Sequence, residues 1–261
     1  MTKNLTEFVN PGIRFVFTDI DDTLTESGHL VPDAYSSLWK LFKADINVVP
    51  VTGRPAGWCE LIARQWPVAG VVGENGGFYF RHNNRTMKRH YFNDAATRVD
   101  NQRRLERIRA EILAAVPGSA VASDQFCRMM DLAIDFCEDV KPLPPAEVDK
   151  IVTIFKKHGA NAKVSSIHVN GWFGEYDKLS MCKTFCQREF NLDISAQNDL
   201  CAFVGDSPND EPMFEFFKNS FGVANVEKFM KLKLLKHAPR FLATKSGGTG
   251  FTEIATQILK N

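Results

Sequence analysis

The sequence has little that would take the chain to a membrane or to nucleic acid. Its amino terminus, MTKNLTEFVNPG, lacks the apolar core of a signal peptide, and no segment approaches the roughly 20 apolar residues that cross a bilayer. A cytoplasmic protein is the expectation. The net charge of +1 supplies no large field for nucleic acid or an acidic surface, and the Arg- and Lys-rich stretch 81–109 reads as a solvated helix face. No CxxC pair occurs among the six cysteines, Cys59, Cys127, Cys137, Cys182, Cys186 and Cys201. They read as reduced core residues; Cys182 and Cys186 share a helix face but lack a third and fourth ligand for zinc. The histidines show neither metal-ligand spacing nor a serine partner and read as surface or satisfied core residues. There is no internal repeat and no low-complexity tract, so disorder is expected only in the first ten residues and the last few.

What is present is a chain of 261 residues, 44% of them hydrophobic, long enough for one large domain or two small ones. IRFVFT, residues 13–18, is a near-continuous apolar run of the kind a doubly covered parallel strand requires. PDAYSSLWKLFKAD then places Ala34, Leu38, Leu41 and Phe42 at helical spacing, INVVPVTG is a second apolar run, a helix follows to Trp66, and AGVVGENGG is a further short strand. Such alternation predicts crossover units and an open parallel sheet.

From about residue 84 to 172 the pattern changes. Leu105, Ile108, Ile112, Leu113 and Val116 mark a long amphipathic helix, and RMMDLAIDF alternates as a half-buried strand. PLPPAEVDKIVTIFKKHG predicts a helix with Val148, Ile151, Val152 and Phe155 on one stripe, ending at Gly159, and AKVSSIHVN a following strand. A small antiparallel sheet with two helices on one face fits this segment. The parallel pattern resumes after residue 175 with DKLSMCKTFCQREF, LCAFVGDSPND, EPMFEFFK, SFGVAN and a last helix entered from SGGTG, a loop rather than a phosphate cradle. The middle segment is therefore an insertion, dividing the chain into a core of residues 1–82 and 173–261 and a smaller unit of residues 83–172.

Ligands of an open parallel sheet bind at the carboxyl ends of its strands, and several motifs fall there. Asp19 and Asp21 follow the first strand, Thr52, Gly53 and Arg54 the second, and Asp206, Asn209 and Asp210 the strand LCAFVG, while Lys178 opens a helix. Gathered carboxylates repel one another unless a cation, hydrogen bonds or protonation compensates, and a hard ion such as Mg²⁺ suits a few carboxylates together with a phosphate oxygen. The hydroxyl and amides of Thr52 and Gly53 can donate to phosphate oxygens, and Lys178 adds a point charge. Together they describe a phosphoryl site. Arg54 fits either a phosphate contact or an ion pair that fixes its loop. Glu74 and Asn75 in GENGG fit either a leaving-group contact or a turn, and Asn170, Trp172 and Glu175 either a polyol cleft or a hinge.

The order FTDIDDTLT, VVPVTGRP, Lys178 and FVGDSPND resembles the four motifs of the haloacid dehalogenase superfamily of phosphohydrolases. The position of the insertion and VVGENGGFYF before it are similar to the Cof-type, or type IIB, branch, which includes sucrose-phosphate phosphatases. The resemblance implies an α/β fold: a Rossmann-like core with an open parallel sheet, plus a smaller α+β cap with an antiparallel sheet that sets substrate choice. It also implies a phosphoric monoester hydrolase acting on a small phosphorylated metabolite, a sugar phosphate first, with no nucleic acid or membrane partner. Asp19 would be the nucleophile and Asp21 the acid and base. Mg²⁺ would be held by the Asp19 and Asp206 side chains and the Asp21 carbonyl, with Asn209 and Asp210 nearby, contacting phosphate or the ligands of the metal. Thr52, Gly53, Arg54 and Asn209 would bind phosphate or substrate. Asp22 stands where the family commonly has Gly, and as a residue tolerant of left-handed backbone it reads as a turn residue. A phosphomannomutase-like phosphotransferase, sharing core, cap and an approach to the lysine comparable to GWFGEYDK, and a protein that only binds a phosphorylated ligand are the alternatives.

Overall fold

The computed structural model describes residues 2–165 and 167–260. Its central sheet has six strands, all parallel, in the order Lys3–Asn4, Phe241–Leu242, Asn219–Gly222, Cys201–Gly205, Phe15–Thr18, Asn47–Pro50. Val16, Val48, Ala202 and Val204 pack on one face, with the helices Pro32–Lys43 and Gly247–Leu259. Phe15, Phe17, Val49 and Phe203 pack on the other, against Lys178–Phe190 and Glu211–Phe216. Both faces are covered, which is why these strands read as unbroken apolar runs.

The register decides where the loops emerge. Thr18 pairs with Val204 on one side and Pro50 on the other, so three loops leave the sheet together at one edge. The Asp19 amide still donates to the Val204 carbonyl at 2.9 Å, and the Val51 amide to the Thr18 carbonyl at 2.8 Å. Beyond this edge Val51 bridges Val72, joining the sheet to three antiparallel strands, Val71–Gly73, Phe78–Asn83 and Thr86–Tyr91. The hairpin of the last two strands spans residues 82 and 83, with His82 facing Met87 and Asn83 facing Thr86. Arg81 and Lys88 meet Glu189, each at 3.0 Å, and Arg89 meets Glu60 at 2.9 Å, so the start of the basic stretch is engaged by carboxylates and is not a bare solvated face.

The inserted segment forms a four-stranded antiparallel sheet in the order Asn161–Val164, His168–Trp172, Asp131–Asp135, Ala120–Val121. The helices Ala95–Ala115 and Pro145–Lys157 cover one face, where Leu105, Ile108, Ile112, Ile151 and Phe155 close over Leu132, Ile134 and Val169. A Cβ at Gly171 would run into the Phe155 ring, so the strand can carry no side chain there.

Four expectations are corrected. Strand Asp131–Asp135 is buried at every position, because its polar face, shared with His168 and Asn170, is turned towards the core and covered by it. AKVSSIHVN contributes to two antiparallel strands, Asn161–Val164 and His168–Trp172, with Val164 facing Val169, rather than to one, and Ser166 between them lies outside the described residues. The amino terminus is ordered: Leu5 and Phe8 are buried, and the Phe8 ring lies edge-on to Phe221 at 4.9 Å. Phe42 and Leu113 sit at the rims of their helical stripes and are exposed, while Ile154 takes the buried place expected of Val152. SGGTG does feed the last helix, and Glu26 accepts the Thr249 amide at 3.0 Å at its start. Among the described residues no helix is long and apolar enough to cross a membrane.

Phe155→Ala should destabilise the protein by about 3–5 kcal/mol, the cost of emptying a large buried aromatic site, as measured by urea unfolding.

Candidate active site

Asp19 leaves the strand Phe15–Thr18 at the sheet edge, and Asp206 leaves the neighbouring strand Cys201–Gly205. Asp210 follows within the short turn Pro208–Asp210. One carboxylate oxygen from each lies within 4.8 Å of the others, and all three residues are buried. Lys178 is the first residue of its helix, capped by Asp177, whose carboxylate accepts the Ser180 amide at 2.7 Å. Helical side chains lean towards the amino end, which aims Lys178 back at the sheet edge. Its ammonium group donates to Asp19 at 2.7 Å and to Asp210 at 3.0 Å. The second Asp210 oxygen accepts the Asp206 amide at 3.2 Å, and Asp206 accepts the Thr23 hydroxyl at 3.3 Å. Asp210, expected at one remove, therefore sits inside the carboxylate cluster.

Asp21 turns away from that cluster. Its carboxylate takes the Arg54 guanidinium in a fork, at 3.1 Å to Nε and 2.9 Å to Nη2, and Arg54 lies over the Trp58 ring at 4.4 Å. Arg54 is thus in an ion pair here, which also reaches Glu138 at 3.4 Å. Gly53 and Arg54 border the cleft. Thr52 is fully buried beneath it and accepts the Arg54 amide at 3.0 Å. Asn209 lines the cleft and accepts the Ser207 hydroxyl at 2.7 Å. Asp22 adopts φ 57°, and its carbonyl accepts the Asn225 amide group at 2.7 Å, as its turn role requires.

The insertion closes the cleft from above with residues that were not singled out in the sequence. Arg128 is nine-tenths buried, bound to Asp124 at 2.9 Å and Asp131 at 3.0 Å, and donates to the Gly53 carbonyl at 3.0 Å. Asn170, which was singled out, donates to Asp131 at 2.9 Å. His168 overturns its reading as a surface or satisfied core residue: it lines the cleft, 2.9 Å from Glu138 but out of hydrogen-bond alignment, so among the described residues its Nε2 has no hydrogen-bond partner. Burial first, then nearby Arg128, lowers its pKa and keeps the imidazole neutral. Lys163 reaches across to the Asn209 carbonyl at 2.8 Å. Trp172 is buried against Tyr176, ring centroids 5.7 Å apart, and Glu175 is exposed away from the cleft. Glu74 is buried away from the cleft lining, its carboxylate taken up by backbone amides.

The model of the haloacid dehalogenase-like hydrolases matches residues 16–101, which include the first two motifs. Solved structures match nearly end to end. One from Thermoplasma acidophilum is 19% identical with a TM-score of 0.72, covering 95% of this chain and 98% of its own. The chain has the haloacid dehalogenase fold. A haloacid dehalogenase-like hydrolase from Bacteroides thetaiotaomicron is 14% identical with a TM-score of 0.69, covering 95% of this chain and 100% of its own. The sucrose-phosphatase of Synechocystis, solved with sucrose and phosphate, is 15% identical with a TM-score of 0.65, covering 95% and 98%. No curated protein matches the sequence. The family resemblance read from the motifs holds, and so does the fold class, a parallel α/β core with an α+β cap.

On this fold the acidic cluster has the donor set of a divalent-cation site. Three buried carboxylates face one ammonium group, an excess of negative charge that burial makes costly. Burial raises the Asp19 pKa to about 7 despite the opposing pull of Lys178, with Asp210 and Asp21 adding to the rise. Burial, then Asp210 and Asp19, hold Asp206 well above the usual carboxylate range. A divalent cation would neutralise the excess, and it must compete with protons for these oxygens. Mg²⁺ affinity measured by titration calorimetry should therefore rise as pH increases from 5 to 8, and Asp206→Asn should weaken binding across that range.

Proposed function

We propose that the chain is a Mg²⁺-dependent phosphatase that hydrolyses a small phosphate monoester, a sugar phosphate first, through an aspartyl-phosphate on Asp19. The observation that carries this reading is Lys178 bonded at once to Asp19 and Asp210, within the carboxylate cluster at the carboxyl edge of the sheet. A carboxylate attacks an anionic phosphate only if their repulsion is screened. Lys178 supplies part of that screening. Mg²⁺, held by Asp19, Asp206 and the Asp21 carbonyl with Asp210 beside them, would supply the remainder.

In the first step an Asp19 oxygen forms a bond to phosphorus as the bond to the leaving oxygen breaks, and Asp21 hands that oxygen a proton. In the second, Asp21 takes a proton from water, whose oxygen attacks phosphorus and breaks the Asp19–phosphorus bond. Inorganic phosphate leaves, and both aspartates return to their starting state. Asp21 lines the cleft in a pair with Arg54 at 2.9 Å, and this pair would have to open for Asp21 to carry the proton. The Gly53 amide, the Thr52 hydroxyl and Asn209 would hold phosphate oxygens; among the described residues the Thr52 hydroxyl donates to no acceptor.

The segment 83–172 would act as the cap that chooses the leaving group. Its contribution to the cleft, neutral His168 and Asn170 with the Glu138 carboxylate nearby, offers hydrogen-bonding edges of the kind that recognise hydroxyl groups. This supports a polyol, as does the likeness to a structure holding sucrose and phosphate. The free thiols Cys59, Cys127, Cys182, Cys186 and Cys201 accord with a reducing, cytoplasmic setting.

The test is Mg²⁺-dependent phosphate release from a panel of phosphorylated sugars, glycerates and nucleotides, without a sugar bisphosphate activator. Asp19→Asn should abolish turnover while the fold is retained, and Asp21→Asn should lower kcat by about 10²–10⁴-fold, the usual share of a general acid and base. Unchanged activity in Asp19→Asn would sink the assignment. Turnover only with a bisphosphate would favour phosphotransfer instead.

A further inference from the structure

Glu74 takes no part in the chemistry above, yet its fully buried carboxylate collects four backbone amides. It accepts from Ala56 at 2.9 Å, Met129 at 2.9 Å, Asp131 at 3.2 Å, and Met130. Ala56 opens the helix Ala56–Gln65 that follows the loop of Thr52, Gly53 and Arg54. Met129–Asp131 is the run that enters the central strand of the cap sheet. One side chain thus ties the loop beside the phosphate site to the part of the cap that hangs over it.

The backbone under Glu74 is equally committed. Glu74, Asn75 and Gly76 have φ of 43°, 56° and 103°, a left-handed run that non-glycine residues keep only where the surroundings hold them. The surroundings here are the site itself. The Glu74 amide donates to the Arg54 carbonyl at 3.2 Å and the Asn75 amide to the Thr52 carbonyl at 3.1 Å. A Cβ on Gly76 would collide with the Asp177 carbonyl just before Lys178. On the cap side, Asp131 holds both Arg128 and Asn170, and Arg128 returns to the Gly53 carbonyl. The Thr52 loop and the start of the lysine helix therefore meet at the turn of residues 74–76, and through the Glu74 carboxylate that turn also holds the cap.

We infer that Glu74 is a positioning residue that sets where the cap stands over the phosphate site, and thereby the turnover of substrates whose leaving group reaches the cap. The inference rests on the phosphatase reading only for its kinetic half. Burial first, then Asp131, raises the Glu74 pKa to about 8 against the pull of Arg128 and the amides, yet both of its oxygens accept amides here, whereas the Gln amide nitrogen would turn a donor on some of them.

The experiment compares wild type with Glu74→Gln by hydrogen exchange and by kinetics on a hexose phosphate and on acetyl phosphate, whose leaving group is too small to span to the cap. Exchange at the amides of residues 129–131 should quicken while that of the core strand 201–205 stays unchanged. The hexose phosphate should lose about tenfold or more in kcat/KM, mostly through KM, with acetyl phosphate little altered, as expected when a remote group loses its orientation. Unchanged protection at 129–131, or an equal loss on both substrates, would overturn the inference. If wild type hydrolyses neither, the phosphatase reading fails and the exchange data alone still decide whether Glu74 holds the cap. Should Glu74→Gln fail to fold, Glu74→Asp, which keeps the carboxyl group one methylene short of the amides, carries the same comparison.

Discussion

Three carboxylates buried against a single ammonium group are the constraint on which this molecule depends. The parallel register of two adjacent strands puts Asp19 and Asp206 at one edge, the turn after the second adds Asp210, and the start of a helix adds Lys178. Each element is ordinary alone. Together they bury like charges side by side, which the Lys178 ammonium balances only in part and which a divalent cation would neutralise. Much of the rest serves that edge: both faces of the sheet are sealed by apolar side chains, and the insertion shuts out solvent from above.

The core was the most legible part. A parallel strand covered on both faces must be apolar throughout, so IRFVFT, INVVP and LCAFVG declared themselves, and with them the positions of Asp19, Thr52 and Asp206. The cap was less so. Alternation in RMMDLAIDF is what a solvated antiparallel strand shows, and nothing in one sequence says that its polar side is covered by another part of the chain. Asp131 was passed over for that reason, and with it Arg128, whose guanidinium is folded into the cleft by two acids within four residues of it. His168 was hidden differently. A lone histidine in a strand has no partner in sequence, and Glu138, 30 residues away, approaches it only after the sheet forms.

Arg54 shows how far a residue can be placed without its work being known. The sequence put it at the site edge and left open whether it binds ligand or braces a loop. In the structure it does the second, joining Asp21 of the core to Glu138 of the cap while stacking on Trp58. A planar fork with five donors can change partners without moving its stem far, so the two roles need not exclude each other. Glu74 was similarly ambiguous, and its backbone angles and amide partners separate it from the leaving group.

The short pairing of Lys3–Asn4 with Phe241–Leu242 looks incidental beside the carboxylate edge, but it supplies the outermost strand at the far margin of the central sheet. Phe8 then packs edge-on against the stacked rings of Phe221 and Phe241 and covers that side. A chain trimmed past this point, by a protease or by the choice of a start site for expression, would present an open row of backbone donors and acceptors beside bare aromatic surface. Such an edge recruits other strands, so a trimmed chain should associate at high concentration through the margin farthest from the carboxylate cluster.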